Sequence, residues 1–275
     1  VEVPVISHLD ASAHVDTVSI EEPLEIWISY NGPDESLIEL SLSITMRTPG
    51  EDEDLVIGFL FSEGIISCMD DVEGIEAFGP FTEPHNLQNQ VKVKLRTGER
   101  VAEKDFQRYF YSNSSCGVCG KASIQALEMI HQPNIAETGF EISDSSLRRL
   151  PEKLRSFQHD FLQTGGLHGV ALAASDGEIL LTKEDIGRHN AMDKLIGHLV
   201  RANDLETKNK LVLVSSRASF ELVQKALVAD FPFFAAIGAP SSAALDLAAE
   251  FGMTLVGFLK GNDYNIYQGS HRIQK

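Results

Sequence analysis

Apolar and polar residues alternate from Leu24 to Tyr30 and, more loosely, from Ile38 to Met46, while Val91, Val93 and Leu95 interleave with Lys92, Lys94 and Arg96. A period of two predicts half-buried strands. Between them, Asp52 to Phe61 reads as a helix, with Asp52, Glu53 and Asp54 in the first turn where the macrodipole favours negative charge, and with Gly64 placed to stop it. The acidic run from Glu51 to Asp54 is therefore assigned to a helix N-terminus rather than to a metal site. After Phe110 the pattern changes to short apolar runs at Val170 to Ala174, Ile179 to Thr182, Leu211 to Ser215, Phe233 to Ile237 and Thr254 to Phe258. Their length and composition are those of buried strands. Helical patterns fill several gaps: Ala191 to Arg201, with Met192, Leu195, Ile196 and Leu199 on one face, then Phe220 to Ala229 and Ala243 to Phe251. Ser219 and Ser241 are expected as N-caps, Pro232 and Gly252 as stops. The expected fold is α/β (α+β overall), with a smaller N-terminal mixed β/α domain over residues 1–110 and a larger layered α/β domain over residues 111–275.

Composition narrows the partners. The chain has 275 residues, ordinary hydrophobic content at 43%, and a net charge of -17. That charge argues against non-specific nucleic-acid binding, which needs clustered Lys and Arg, so any nucleotide has to be held locally. No apolar run approaches the roughly 18 residues of a membrane span, and no basic region followed by an apolar stretch opens the chain. A cytoplasmic protein is expected. Three cysteines do not make a disulfide framework, which points to a reducing compartment and working thiols.

Two of those thiols stand three residues apart, in Ser114-Ser115-Cys116-Gly117-Val118-Cys119-Gly120-Lys121-Ala122-Ser123, just before a segment that reads as a helix from Ala122 to Ile130. Backbone N–H groups at a helix start, with Lys121 close by, favour thiolate and can lower a cysteine pKa from about 8.5 to roughly 3.5–7.5. Gly117 and Gly120 allow a tight turn and leave the sulfurs open. Four readings fit this pair. A structural zinc site needs four ligands, yet Cys68 is the only other cysteine. A thioredoxin-type dithiol normally follows a strand near the start of a small βαβ domain, whereas this pair lies in mid-chain behind Tyr109, Phe110, Tyr111, Ser112 and Asn113. A persulfide carrier needs one exposed nucleophilic thiolate. Two half-buried cysteines without a role would need packing that the glycines remove. Cys68 itself reads as a packing residue.

Further polar clusters follow the predicted strands, where α/β proteins place their sites. Glu184-Asp185-Ile186-Gly187-Arg188-His189-Asn190 packs two acids, a guanidinium and an imidazole into a loop entering a helix. It reads either as a binding loop or as a solvated one, with Asp185 paired to Arg188 and Asn190 capping the helix. Ser215-Ser216-Arg217-Ala218-Ser219 suits an anion at a helix N-terminus but lacks the Gly-x-x-x-x-Gly-Lys pattern. Gly238-Ala239-Pro240-Ser241-Ser242 is explained by a turn and a cap. Thr164-Gly165-Gly166-Leu167-His168 adds an imidazole, read as structural.

Together with Thr45 to Gly50, Gly58 to Gly64 and Gly252 to Gly261, these motifs run in an order that resembles the FdhD/NarQ family of formate dehydrogenase accessory sulfurtransferases over nearly the whole chain. The resemblance implies a cytoplasmic homodimer whose larger domain resembles the cytidine deaminase fold. It implies a sulfurtransferase acting through a cysteine persulfide, which accepts sulfur from a cysteine desulfurase. The sulfur passes to the molybdenum bis-guanine-dinucleotide cofactor, of which GDP is a partial mimic, before that cofactor enters the formate dehydrogenase catalytic subunit. The family's persulfide cysteine falls on Cys116, with Cys119 as the second thiol. Its guanine-dinucleotide segment falls on Phe258, Leu259, Lys260, Gly261, Asn262 and Asp263, with Arg188, His189 and Arg217 expected beside it and no metal bound by the protein. Ser216 stands where many members carry Gly, and Asp263 where a basic residue is common; a carboxylate there repels a pyrophosphate. The zinc deaminase signature, His-x-Glu and then Pro-Cys-x-x-Cys, is absent, since Ser115 precedes Cys116. The alternative role is a chaperone that holds the cofactor without moving sulfur.

Overall fold

A computed structural model describes residues 1–7, 12–102, 131–133, 135, 138–261 and 263–275. The thiol pair Cys116 and Cys119, the helix expected from Ala122 to Ile130, the change of pattern after residue 110, and Asn262 lie outside the described residues.

Period-two alternation produces the first sheet. β1 (Glu2–Ile6) and β2 (Ala13–Thr17) form a separate antiparallel pair. β3 (Glu22–Asn31) and β4 (Leu37–Arg47) then enclose α1 (Asp52–Ser62) together with β5 (Val72–Thr82) and β6 (Leu87–Leu95), in the strand order β4-β3-β6-β5. β3 and β6 run parallel; the outer pairs are antiparallel. Leu24, Ile26 and Ile28 alternate onto the buried face against Val91 and Val93. The pattern does not betray β5, because Gly74, Gly79 and Pro80 interrupt it and its pairing slips between Phe78 and Phe81.

A short α2 (Glu99–Ala102) and β7 (Ile142–Ser143) precede α3 (Asp144–Phe157) and α4 (His159–Thr164), two helices absent from the expected elements. Their signal was present. Ser143 Oγ accepts from Ser146 N at 3.1 Å as an N-cap, and Leu147, Leu150 and Leu154 recur at helical spacing and are buried. Then come β8 (His168–Ala173), β9 (Ile179–Asp185), α5 (Arg188–Arg201), β10 (Leu211–Val214), α6 (Phe220–Val228), β11 (Phe233–Ala236), α7 (Ser242–Glu250), β12 (Thr254–Lys260), β13 (Asp263–Gln268) and β14 (Ile273–Gln274). A six-stranded sheet takes the order β13-β12-β11-β10-β8-β9, with β10, β11 and β12 parallel. Both faces are covered: Leu211 and Leu213 join the α3 core, whereas Val212 and Val214 join the core of α5, α6 and α7. Continuous apolar strands follow from that double burial. The mixed α/β class is as expected.

Two local corrections apply. α5 begins at Arg188 rather than Ala191, so Glu184 and Asp185 end β9 and only a two-residue turn separates strand from helix. The chain leaves α6 through Asp230 in the left-handed region, φ 55, not at Pro232; Gly252 does end α7, φ 68. The acidic run does open α1, and each of its carboxylates also has a cation: Glu51 with Lys183, Asp52 with Arg47 at 2.9 Å, Glu53 with Arg201, and Asp54 with Lys183 at 2.9 Å. Ser219 and Ser241 cap as expected, accepting from Leu222 N and Ala244 N.

α1 crosses α5 with glycines at the contact. A Cβ on Gly58 would overlap the Asp193 carbonyl, and one on Gly197 the Asp54 carbonyl. Gly197→Ala must push these backbones apart, so a loss of about 1–3 kcal/mol, as for an overpacked core, is expected in urea unfolding. An unchanged midpoint would contradict the close crossing.

Candidate functional site

The site rests on Asp185, the last residue of β9, whose carboxylate is fully buried. Its Oδ2 lies 2.8 Å from Lys194 Nζ and accepts from Thr48 N at 3.1 Å, while Oδ1 accepts from Gly187 N at 2.8 Å and Asn190 Nδ2 at 3.1 Å. Lys194 also donates to the carbonyls of Thr48 and Glu184, and Asn190 Nδ2 donates to that of Met46 at 2.7 Å. Ile186 N completes the lock on Thr48 Oγ1. Glu184 accepts from Asp160 N and Phe161 N at the start of α4. Asp185 therefore does not pair with Arg188, and Asn190 does not cap α5; Gly187 holds the cap position. The reason is energetic. A 2% exposed ammonium at Lys194 needs a counter-charge, and its taking Asp185 leaves Arg188 without one among the described residues.

Arg188 faces a cavity of about 380 Å³ lined with His168, Ser215, Ser216, Arg217, Ile237, Gly238 and Lys260. The cavity sits at the carboxyl ends of β10, β11 and β12, the usual ligand position in an open α/β sheet. Its loops are tied to one another: Gly238 N donates to Ser216 O, Ala218 N to Ala239 O, and Phe258 N to Gly238 O, at 3.0 to 3.1 Å. Gly238 permits this approach, since a Cβ there would lie 2.9 Å from Arg217 N and Ser216 O. Between Gly257 and Lys260 the ladder slips, and Phe258 takes φ 55 with 42% of its surface exposed. Leu259 consequently turns its side chain into the α3 core and is fully buried, while Lys260 reaches the cavity.

Electrostatics give the cavity its character. Among the described residues Arg188, Arg217 and Lys260 have no carboxylate partner, although acidic residues outnumber basic ones 40 to 23. Arg188 Nε is buried without a hydrogen-bond partner among the described residues. Converging like charges are unfavourable until an anion joins them, and guanidinium forks suit phosphate oxygens. Among the other expected residues, His189 is not part of the lining. Burial first, then repulsion from Arg188, pushes its pKa down to about 3, so its neutral ring hydrogen-bonds: Nε2 lies 3.2 Å from Glu221 Oε2 and 3.4 Å from Ser219 Oγ. Gly261 and Asp263 lie at the turn into β13, outside the lining, with Asp263 exposed. His168, read from sequence as structural, does line the cavity. Its register pairing with Asp185 brings it there, which no local pattern reveals. Cys68 is half-buried and free.

The FdhD/NarQ family model matches residues 20–274. The chain belongs to the FdhD/NarQ family. It is 46% identical over 264 residues to the sulfur carrier protein FdhD of Streptomyces coelicolor, covering 95% of this chain and 90% of that one. The Mycobacterium tuberculosis protein of the same name is 41% identical over 98% of this chain and 96% of its own, and that of Sulfurisphaera tokodaii 41% over 94% and 92%. The fold matches the crystal structure of a Desulfotalea psychrophila protein described provisionally as a formate dehydrogenase accessory protein, with a TM-score of 0.72 and 21% identity, covering 99% of this chain and 97% of that one. This FdhD/NarQ member thus shares its fold with a distant structure, and the cationic cavity is built from this chain's own residues.

Proposed function

We propose that this chain is a cytoplasmic, homodimeric sulfur carrier for formate dehydrogenase, in which Cys116 takes sulfane sulfur from a cysteine desulfurase and passes it to the molybdenum bis-guanine-dinucleotide cofactor. The observation that carries the binding half is the cavity with three cations that have no carboxylate partner among the described residues, whose charge complements a pyrophosphate. The sulfur half is supported by the names of the relatives and by the Cys116-x-x-Cys119 spacing. In the first step the Cys116 thiolate attacks the terminal sulfur of the desulfurase persulfide, an S–S bond forms on Cys116, and the desulfurase cysteine leaves as thiolate. In the second, Cys119 attacks Cys116 and releases the sulfur as hydrosulfide to the cofactor; the two thiols become a disulfide and supply the two electrons. Arg188, Arg217 and Lys260 hold the cofactor phosphates while Phe258 stands at the rim for its base.

The test is mass spectrometry of the protein after incubation with a desulfurase and cysteine. The expected result is an adduct of one sulfur atom that disappears in Cys116→Ala, together with loss of formate dehydrogenase activation. An adduct that persists in Cys116→Ala and vanishes in Cys119→Ala reverses the two roles. Activation without any adduct supports the chaperone instead, a reading favoured by one observation: no cysteine is among the described residues that line the cavity.

A further inference from the structure

Among the described residues that line the cavity stands one imidazole, His168, the side-chain type that ordinarily changes its charge near neutral pH. His168 opens β8, and its backbone is held where it is: Gly169 N donates to Ser215 Oγ at 3.0 Å, and Ser215 N donates to Gly169 O at 2.9 Å. Among the described residues its ring has no hydrogen-bond or ion-pair partner. The charged groups around it are Arg188 on α5, Arg217 after β10, Lys260 at the end of β12, Asp185 on β9 and His189 on α5. Asp185 is already committed to Lys194 and three amide groups, so the net field at the ring is that of the cations. Burial and then Arg188 hold the His168 pKa below the ordinary 6.5, against the weaker pull of Asp185.

An anion in the cavity reverses that field. We propose that His168 is a phosphate-binding residue of this cavity and takes up a proton from solvent as a pyrophosphate enters, forming an N–H donor on the ring nitrogen that faces a phosphate oxygen. The proposal rests on the reading of the cavity as a phosphate site and adds a fourth ligand whose charge is conditional. Wyman linkage fixes the sign: ligand raises the His168 pKa, so affinity is highest below the ligand-free pKa, declines as pH rises from there to the bound-state pKa by at most about tenfold per pH unit for one proton, and is level above it.

The probe is GDP-mannose, whose pyrophosphate diester does not itself titrate near neutral pH, used in calorimetric titrations at one pH in two buffers of different ionisation enthalpy. The expected result is net proton uptake by the wild type, lost in His168→Gln, together with a flattened pH profile of affinity. Above the bound-state pKa, where His168 is neutral in either case, the variant should bind within about twofold of wild type. Uptake that persists in His168→Gln, or binding by wild type without uptake, overturns the role of His168 while leaving the phosphate site intact. Absence of binding by both GDP-mannose and GDP overturns the phosphate site and this proposal with it.

Discussion

Lys225→Met is expected to lower the stability of the protein by about 3–5 kcal/mol, the cost of leaving one member of a buried ion pair alone. Lys225 on α6 is 4% exposed, and its Nζ lies 2.9 and 3.0 Å from the two carboxylate oxygens of Asp193 on α5, itself 3% exposed. Ser62 Oγ on α1 donates to the same carboxylate at 3.1 Å, so three helices meet at one charge. Burial pushes Asp193 up to about 6 even with its partner present. Burial also opposes the charge on Lys225, but Asp193, Glu63 and Glu221 outweigh it and raise the pKa. Without the ammonium, Asp193 has to protonate or sit charged in a core. Its folded pKa then lies further above the unfolded value of 3.8, so the deficit of the variant is smallest in acid and grows as pH rises through that folded pKa. Adding Asp193→Leu removes the stranded charge and should recover most of the loss. Urea unfolding of both variants at acid and neutral pH checks this; a single variant as stable as wild type, or a double variant no better than the single, contradicts it.

The second large effect is on binding. Arg188→Ala and Arg217→Ala should each weaken GDP binding by about 1.5–3 kcal/mol, the usual worth of a hydrogen bond to a charged group. That is roughly 10- to 150-fold in Kd. Neither guanidinium has an ion-pair partner among the described residues, so neither substitution breaks a bridge. Losing one of three converging cations instead relieves repulsion, and the ligand-free variants should melt no lower than wild type. Arg188→Lys keeps the charge and loses the planar fork, which should place it between Ala and wild type. Calorimetry at fixed salt measures the affinities. Unchanged GDP binding in both Ala variants would separate the cavity from the nucleotide.

Much of this molecule was legible in its pattern. The alternation in β3, β4 and β6, the apolar runs of β8 to β12 and the serine caps of α6 and α7 are local statements that the tertiary structure had only to accept. α3 and α4 were legible too, from Ser143 and the spacing of Leu147, Leu150 and Leu154. β5 was not, because a bulged strand with two glycines and a proline has no period to detect.

The functional motifs divide in the same way. By itself the sequence determined the family, the sulfur chemistry to be expected of Cys116 and Cys119, and the clustering of polar groups after the strands. Tertiary structure decided which of those polar groups are spent on the fold and which are left for a ligand. Glu184, Asp185, Asn190 and Lys194 are consumed in joining β9, α4, α5 and the segment from Thr45 at the end of β4 to Thr48 just after it, through bonds that span as many as 146 positions in the chain. Because Lys194 is buried and takes Asp185, Arg188 six residues earlier on the same helix is left without a counter-charge among the described residues. His168 and Lys260 reach the same cavity only because β8 pairs with β9 and β12 slips at its bulge. Charge balance is a property of neighbours in space, and one strand of sequence does not state who those neighbours are.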